Sequence, residues 1–284
     1  MGNPIQAFYE QTGATYDRFY STTEYPGLAN VLRLRIVLRR LAELGAKSVF
    51  DAGVGSGRVL EQAVQMGLRI GGCDFAPAMV QAARARLGEK ALLSVADMED
   101  ALTLGAAFAA GPWDALTAFG PVNQARGAPQ TVLANLRGLL RLGGRAFIEF
   151  NNSLFALFTL NRVSKDWILG DLLAGVTGPI RLAVEQEIDK RFNLDWPPRD
   201  SRRAHDNPAY PRRFYNPFTL PEMLRLAGFG SPRFYWYHYH AGFPWLHRAD
   251  DEAEWAKQCL ALENPDDWRG YFLCSVVLVE TEAI

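Results

Sequence analysis

The chain has 284 residues, of which 49% are hydrophobic and 21% charged, with a formal net charge of −1. That is the balance of a packed globular protein, and it leaves no electrostatic footprint for nucleic acid. No stretch approaches the ~18 apolar residues of a membrane span.

The first residues lack the basic patch and apolar run of a secretory signal. Cys73, Cys259 and Cys274 have no paired spacing and read as reduced thiols. A cytoplasmic location is therefore expected.

Phe8, Tyr9, Tyr16, Phe19 and Tyr20 form a dense aromatic set near the start, and their hydroxyls would be polar handles on an apolar segment. A helix is expected over 30–44, with Val31, Leu34, Leu38 and Leu41 on one stripe. Arg33, Arg35, Arg39 and Arg40 would then coat its solvent side.

An apolar strand beginning at Ser48 ends in Asp51, followed by Gly53, Gly55 and Gly57 and then a helical face of Val59, Leu60, Ala63 and Val64. The alternating glycines let a ligand approach the main chain, and the helix start behind them offers free N–H groups. The dinucleotide fingerprint fails, because Arg58 stands where its last glycine or alanine should be, and no Lys-Ser/Thr makes a phosphate loop.

A second strand over 69–73 runs into Asp74, 23 residues after Asp51 and 17 after Gly57. That distance lets a βαβ unit bring the acid beside the loop, where it could accept both hydroxyls of a ribose. Phe75 could lie on a purine face. Pro77 opens a helix over 78–87, and a third strand over 91–95 leads to Asp97 and Met98, an acceptor for an exocyclic amine and a surface for the ring.

The runs D-A-G-V-G-S-G, G-C-D-F-A-P-A-M and V-A-D-M resemble the class I S-adenosylmethionine-dependent methyltransferases, closely over residues 45–150 and loosely elsewhere. The resemblance implies S-adenosylmethionine as cofactor, with its aminoacyl part near Asp51 and Gly53, ribose on Asp74, and adenine between Phe75, Met98 and Asp97. It also implies that the aromatic N-terminal segment folds over the cofactor and shapes the acceptor pocket, which makes Tyr9, Tyr16 and Tyr20 substrate candidates.

A fourth strand over 115–119 brings Phe119 to the cofactor and Asn123 beside its sulfonium end. A helix over 130–142 and a Gly-Gly turn precede the fifth strand, 145–150. Glu149 lies on the face opposite Ile148 and Phe150 and is a substrate candidate.

About sixty residues then depart from a minimal core. The alternation of Ile180, Leu182 and Val184 predicts a strand, paired with one over 191–196, in a cap of antiparallel strands and a loop. Thr219 and Glu222 form a capping-box pattern for the next helix. In the sixth strand, parity places Phe234, Trp236, His238 and His240 on one face and Tyr235, Tyr237 and Tyr239 on the other. A short helix over 251–262 precedes the seventh strand, 271–279.

The expected fold is therefore α/β: a Rossmann-like, seven-stranded mixed sheet of order 3-2-1-4-5-7-6 with the last strand antiparallel. It divides into an N-terminal lid (1–44), a cofactor-binding core (45–151), an inserted cap (152–215) and a C-terminal part of the core (216–284). The expected activity is methylation of a small molecule, with a sugar or secondary-metabolite hydroxyl preferred and an amine as the alternative.

His238 or His240 is the general-base candidate, since a neutral imidazole can take a hydroxyl proton. Asn123 would position the acceptor and Trp236 contact it. His205, His238, His240 and His247 have no acid at an evident ligand spacing, so no metal is expected. A non-catalytic cofactor-binding module and a nicotinamide-dependent oxidoreductase are the competing classes. The misplaced third glycine argues against the latter. The oligomeric state stays open, a homodimer included.

Overall fold

The computed structural model describes residues 4–12, 20, 25–200 and 212–284. A seven-stranded sheet of order β3-β2-β1-β4-β5-β7-β6 runs through it. The strands are β1 (Ser48–Ala52), β2 (Arg69–Asp74), β3 (Ala91–Val95), β4 (Trp113–Ala118), β5 (Leu140–Asn151), β6 (Arg233–Tyr239) and β7 (Cys274–Glu282). All the pairings from β3 to β5 are parallel, and β7 is antiparallel to both β5 and β6, as expected from the sequence.

Every residue of β1 is buried, so its side chains must be satisfied on both faces of the sheet. Val49, Ala115, Phe147 and Leu278 pack against α2 (Tyr25–Glu43), α3 (Arg58–Gln65) and α4 (Pro77–Leu87). Phe50, Leu116 and Ile148 point the other way, toward α5 (Gly105–Ala110) and α6 (Pro129–Leu139). A further short helix, α1 (Pro4–Thr12), lies over α4, where Ala78 N–H donates to Glu10 at 3.3 Å.

The cap is helical, which corrects the strand expected over 180–184. After β5 come α7 (Ala156–Thr159), α8 (Arg162–Trp167) and α9 (Gly178–Arg191). The apolar alternation is outweighed by a run of strong helix formers, with Pro179 in the first turn. Lys165 of α8 ties α9 down through Glu185 (2.9 Å) and Asp189 (2.6 Å), which lie one helical turn apart.

The capping box before α10 (Leu220–Leu226) does not form. The Thr219 hydroxyl donates to Asn216 O at 2.9 Å, and Glu222 is taken by Arg225. Strand β5 begins at Leu140, inside the helix expected over 130–142, with a register irregularity against β4.

Two helices occupy the region between β6 and β7: α11 (Glu252–Leu262) and α12 (Gly270–Leu273). The parity expected for β6 breaks at His238, whose φ is +63°. Its ring comes to 5.4 Å from Tyr25 of α2, on the side of Tyr237, while Tyr239 joins Trp236 in the opposite core. The Glu263 carboxylate holds this turn by accepting the N–H groups of His238 (2.9 Å) and Tyr239 (3.1 Å). Among the described residues no helix is long and apolar enough to cross a membrane.

Candidate functional site

The sheet order reverses between β1 and β4, and at this switch point the carboxyl ends of the strands open two adjoining cavities. They share walls formed by Tyr9, Gly53, Gly55, Phe119, Gly120 and Gln124.

The turn after β1 shapes both. The Gly53 and Val54 N–H groups each donate to Cys73 O at 2.8 Å, which locks the loop to β2. Gly53 has φ +78°, and a Cβ there would lie 3.0 Å from Pro121. Gly57 behaves differently. It caps α3 with φ +83°, and a Cβ would meet Leu87 at 3.1 Å, so it serves helix packing and lines neither cavity.

The smaller cavity brings together Asp74, Phe75, Asp97 and Met98 with the glycine loop. Asp74 accepts the N–H groups of Gly55 and Ala76, each at 3.0 Å. Burial pushes its carboxyl up to about 6, against the pull of those two donors. Asp97 is paired with Arg126 and also accepts Glu99 N–H at 2.9 Å. Tyr9 of α1 closes this side: its ring stands edge-on to Phe75 at 6.0 Å and its hydroxyl accepts from Gln124 at 3.0 Å.

The larger cavity, about 230 Å³, extends toward β5 and β6 and is lined by Asp51, Tyr20, Arg33, Asn123, Glu149, Tyr237 and His238 among others. Burial raises the Asp51 carboxyl to about 7, although the Thr117 hydroxyl donates to it at 2.6 Å and Arg33 favours its ionised form.

Arg33 is the residue the sequence reading misplaced. It is 6% exposed, pairs with Glu149, reaches the Tyr20 hydroxyl at 3.4 Å and lies 4.0 Å over the Phe119 ring. Burial opposes its charge, and the Glu149 carboxylate overcomes that opposition. Tyr237 also donates to Glu149, and burial, reinforced by that carboxylate, holds its hydroxyl protonated. The buried positions Ala29, Arg33, Val37 and Leu41 follow one another at four-residue spacing, a stripe that could have revealed Arg33.

The other candidates separate. Asn123 lines the cavity, but its amide is used at both ends: Nδ2 donates to Glu149 O at 3.2 Å and Oδ1 accepts Asn151 N–H at 2.9 Å. It clasps the end of β5. His240 is stacked on His238 at 5.1 Å and lies against Phe155 at 4.5 Å. Ser275 Oγ is 3.3 Å from His238 Nδ1 and 3.2 Å from His240 Nε2.

Trp236 is 3% exposed and packs on Tyr271 at 4.4 Å in the core, so it reaches neither cavity. Tyr16 and His205 lie outside the described residues. Among the described residues, no group of three or more His, Cys, Asp or Glu could hold a metal ion.

Residues 50–146, the segment carrying the three motifs, match the family model of a methyltransferase domain. The comparison with curated protein sequences finds no significant match.

Solved structures share the fold along the whole chain. A Thermotoga maritima S-adenosylmethionine-dependent methyltransferase, described as a possible histamine N-methyltransferase, is 16% identical with a TM-score of 0.54, covering 98% of this chain and 99% of its own. The magnesium protoporphyrin IX methyltransferase of Synechocystis, with bound S-adenosylhomocysteine, is 13% identical with a TM-score of 0.56 and coverage of 99% and 98%. The Burkholderia thailandensis 1,6-didemethyltoxoflavin-N1-methyltransferase is 15% identical with a TM-score of 0.50 and coverage of 99% and 87%. The architecture is the Rossmann-like fold that these methyltransferase structures share, and the match to the methyltransferase-domain model is confined to residues 50–146.

Proposed function

We propose that this protein transfers a methyl group from S-adenosylmethionine to a hydroxyl or amine of a small molecule, with a sugar or secondary-metabolite hydroxyl preferred. The observation that carries the reading is the pair of cavities sharing one glycine loop. The smaller has an acid, an aromatic ring and a thioether suited to an adenosine, and the larger adjoins it beyond β4. The lining fits the cofactor: Gly53 and Gly55 bring bare backbone to both cavities, and Gly53 adopts a left-handed turn with Pro121 packed where a Cβ would stand.

The cofactor supplies an activated methyl group on a sulfonium. The chain's own work is alignment and exclusion of water. Asp74 would hold the ribose and Phe75 and Met98 the ring, with Asp97 accepting from the amine beside its arginine. Asp51, Gly53 and Gly55 would meet the aminoacyl end, with Phe119 beneath it.

Tyr9 and Tyr20 close the site from the N-terminal segment. For a hydroxyl acceptor, His238 is the proton acceptor we favour, because its reversed backbone turns the ring toward the cavity and Ser275 links it to His240. Three buried free thiols fit a reducing cytoplasm. Residues 45–151 would bind cofactor, with 1–44 as lid, 152–215 as cap, and 216–284 completing the sheet.

The test is S-adenosylhomocysteine release, followed by mass spectrometry, from purified protein given S-adenosylmethionine and a panel of alcohols, phenols and amines. Acceptor-dependent release with a product heavier by one methylene is the expected result. Turnover of a nicotinamide cofactor without such release would refute the reading.

A further inference from the structure

One wall of the larger cavity carries a chemical preference. Arg33 Nη1 and the Tyr237 hydroxyl both donate to the same oxygen of Glu149, Oε2. Among the described residues nothing hydrogen-bonds Oε1, although the side chain is only 13% exposed and lines the cavity. A carboxylate oxygen paired with arginine can only accept, so Oε1 faces the cavity as a fixed acceptor.

Arg33 is committed elsewhere. Its Nη atoms are drawn to Glu149 and Tyr20, its face lies on Phe119, and its Nε is buried with no partner. The nearest cation on this wall is therefore spent on positioning the carboxylate. Glu149 sits near the carboxyl end of β5, on the far side of β4 from β2 and Asp74, where a methyl acceptor must lie if the cofactor lies over β1 and β2.

We infer that Glu149 Oε1 receives a hydrogen bond from an N–H or O–H donor of the methyl acceptor, which selects an amine or hydroxyl compound over a carboxylate. This rests on the methyl-transfer reading. An anionic acceptor would bring a second negative charge against Oε1 with no proton between them, and like charges at contact disfavour binding. Arg58 and Arg212 also reach the cavity, which makes a carboxylate probe the proper counter-case.

The experiment first measures S-adenosylhomocysteine affinity by calorimetry. Ligand-observed NMR on the saturated complex then compares benzylamine, benzyl alcohol and benzoate, which share a ring and differ in the polar group. Glu149→Gln strands the buried Arg33 and can fail to fold, so the double variant Arg33→Met/Glu149→Gln, which removes both charges, accompanies it.

Benzylamine or benzyl alcohol should bind the unmutated protein better than benzoate. Binding should fall by about tenfold or more in whichever variant folds, roughly the loss of one hydrogen bond to a charged group. Benzoate binding best, or donor probes binding the unmutated protein no better than the double variant, would overturn the assignment. Failure of the unmutated protein to bind S-adenosylhomocysteine would instead sink the methyl-transfer reading, and this inference would fall with it.

Discussion

Replacing Asp74 with alanine should separate binding from stability. In the folded protein burial pushes the carboxyl up to about 6, even with Gly55 and Ala76 N–H groups donating to it. At pH 8 that shift makes the ionised group a net burden of about 3 kcal/mol on the fold. Alanine removes the burden but strands two buried N–H donors, at about 1–3 kcal/mol each. The opposing contributions nearly cancel, so the melting temperature should move by only a few degrees in either direction.

Cofactor affinity has no such compensation. Charge-assisted bonds to the ribose hydroxyls contribute about 1.5–3 kcal/mol each, so S-adenosylhomocysteine should bind at least roughly 100-fold more weakly to Asp74→Ala. Calorimetry at pH 8, with thermal unfolding in parallel, measures both quantities. The 2′-deoxy analogue should lose much less than the parent ligand on mutation. Equal losses for the two ligands, or an unchanged affinity in the folded variant, would refute the ribose assignment.

The Arg33–Glu149 pair should show strong coupling. Either single removal, Arg33→Met or Glu149→Gln, should cost about 3–5 kcal/mol in urea unfolding, and the double variant less than the sum. Gly270→Ala should be poorly tolerated, since its Cβ would sit 2.1 Å from Trp236 Cγ. A destabilisation of at least ~2 kcal/mol by chemical unfolding is expected.

S-adenosylhomocysteine affinity should rise from pH 5.5 to 8 as Asp51 (about 7) and Asp74 (about 6) ionise, and Asp51→Asn should flatten the upper part of that curve. Both folded values exceed the unfolded ones, so the empty fold binds more protons than the unfolded chain between about pH 4 and 7. Its stability should therefore decline as pH rises through that window, opposite to the trend in affinity. Unfolding and calorimetric titrations across the range check the two signs.

What the sequence revealed well was local. The Gly53 turn, the acid ending β2 and the Asp97-Met98 pair are legible because each is fixed by a turn or strand end within a few residues, and the βαβ spacing brings them together. What it concealed depends on distant partners. Arg33 looks like one of four surface arginines until Glu149, 116 residues away, supplies the charge that permits its burial.

His238 reads as a regular strand residue, yet Glu263 from beyond α11 holds its backbone in a left-handed turn that breaks the parity of β6. Ile180 and Leu182 mimic a strand, but α9 exposes both and is held by ion pairs instead. Asn123 stands at the cavity where an acceptor contact was expected, and one donor and one acceptor of its amide are bound to β5.

A crystal structure of the S-adenosylhomocysteine complex tests the central claim most directly. The account predicts adenine between Phe75 and Met98, ribose hydroxyls on Asp74, and the sulfur opening toward Glu149 and His238 in the larger cavity. A ligand whose sulfur faces away from that cavity, or one seated wholly within it against Glu149, would contradict the account.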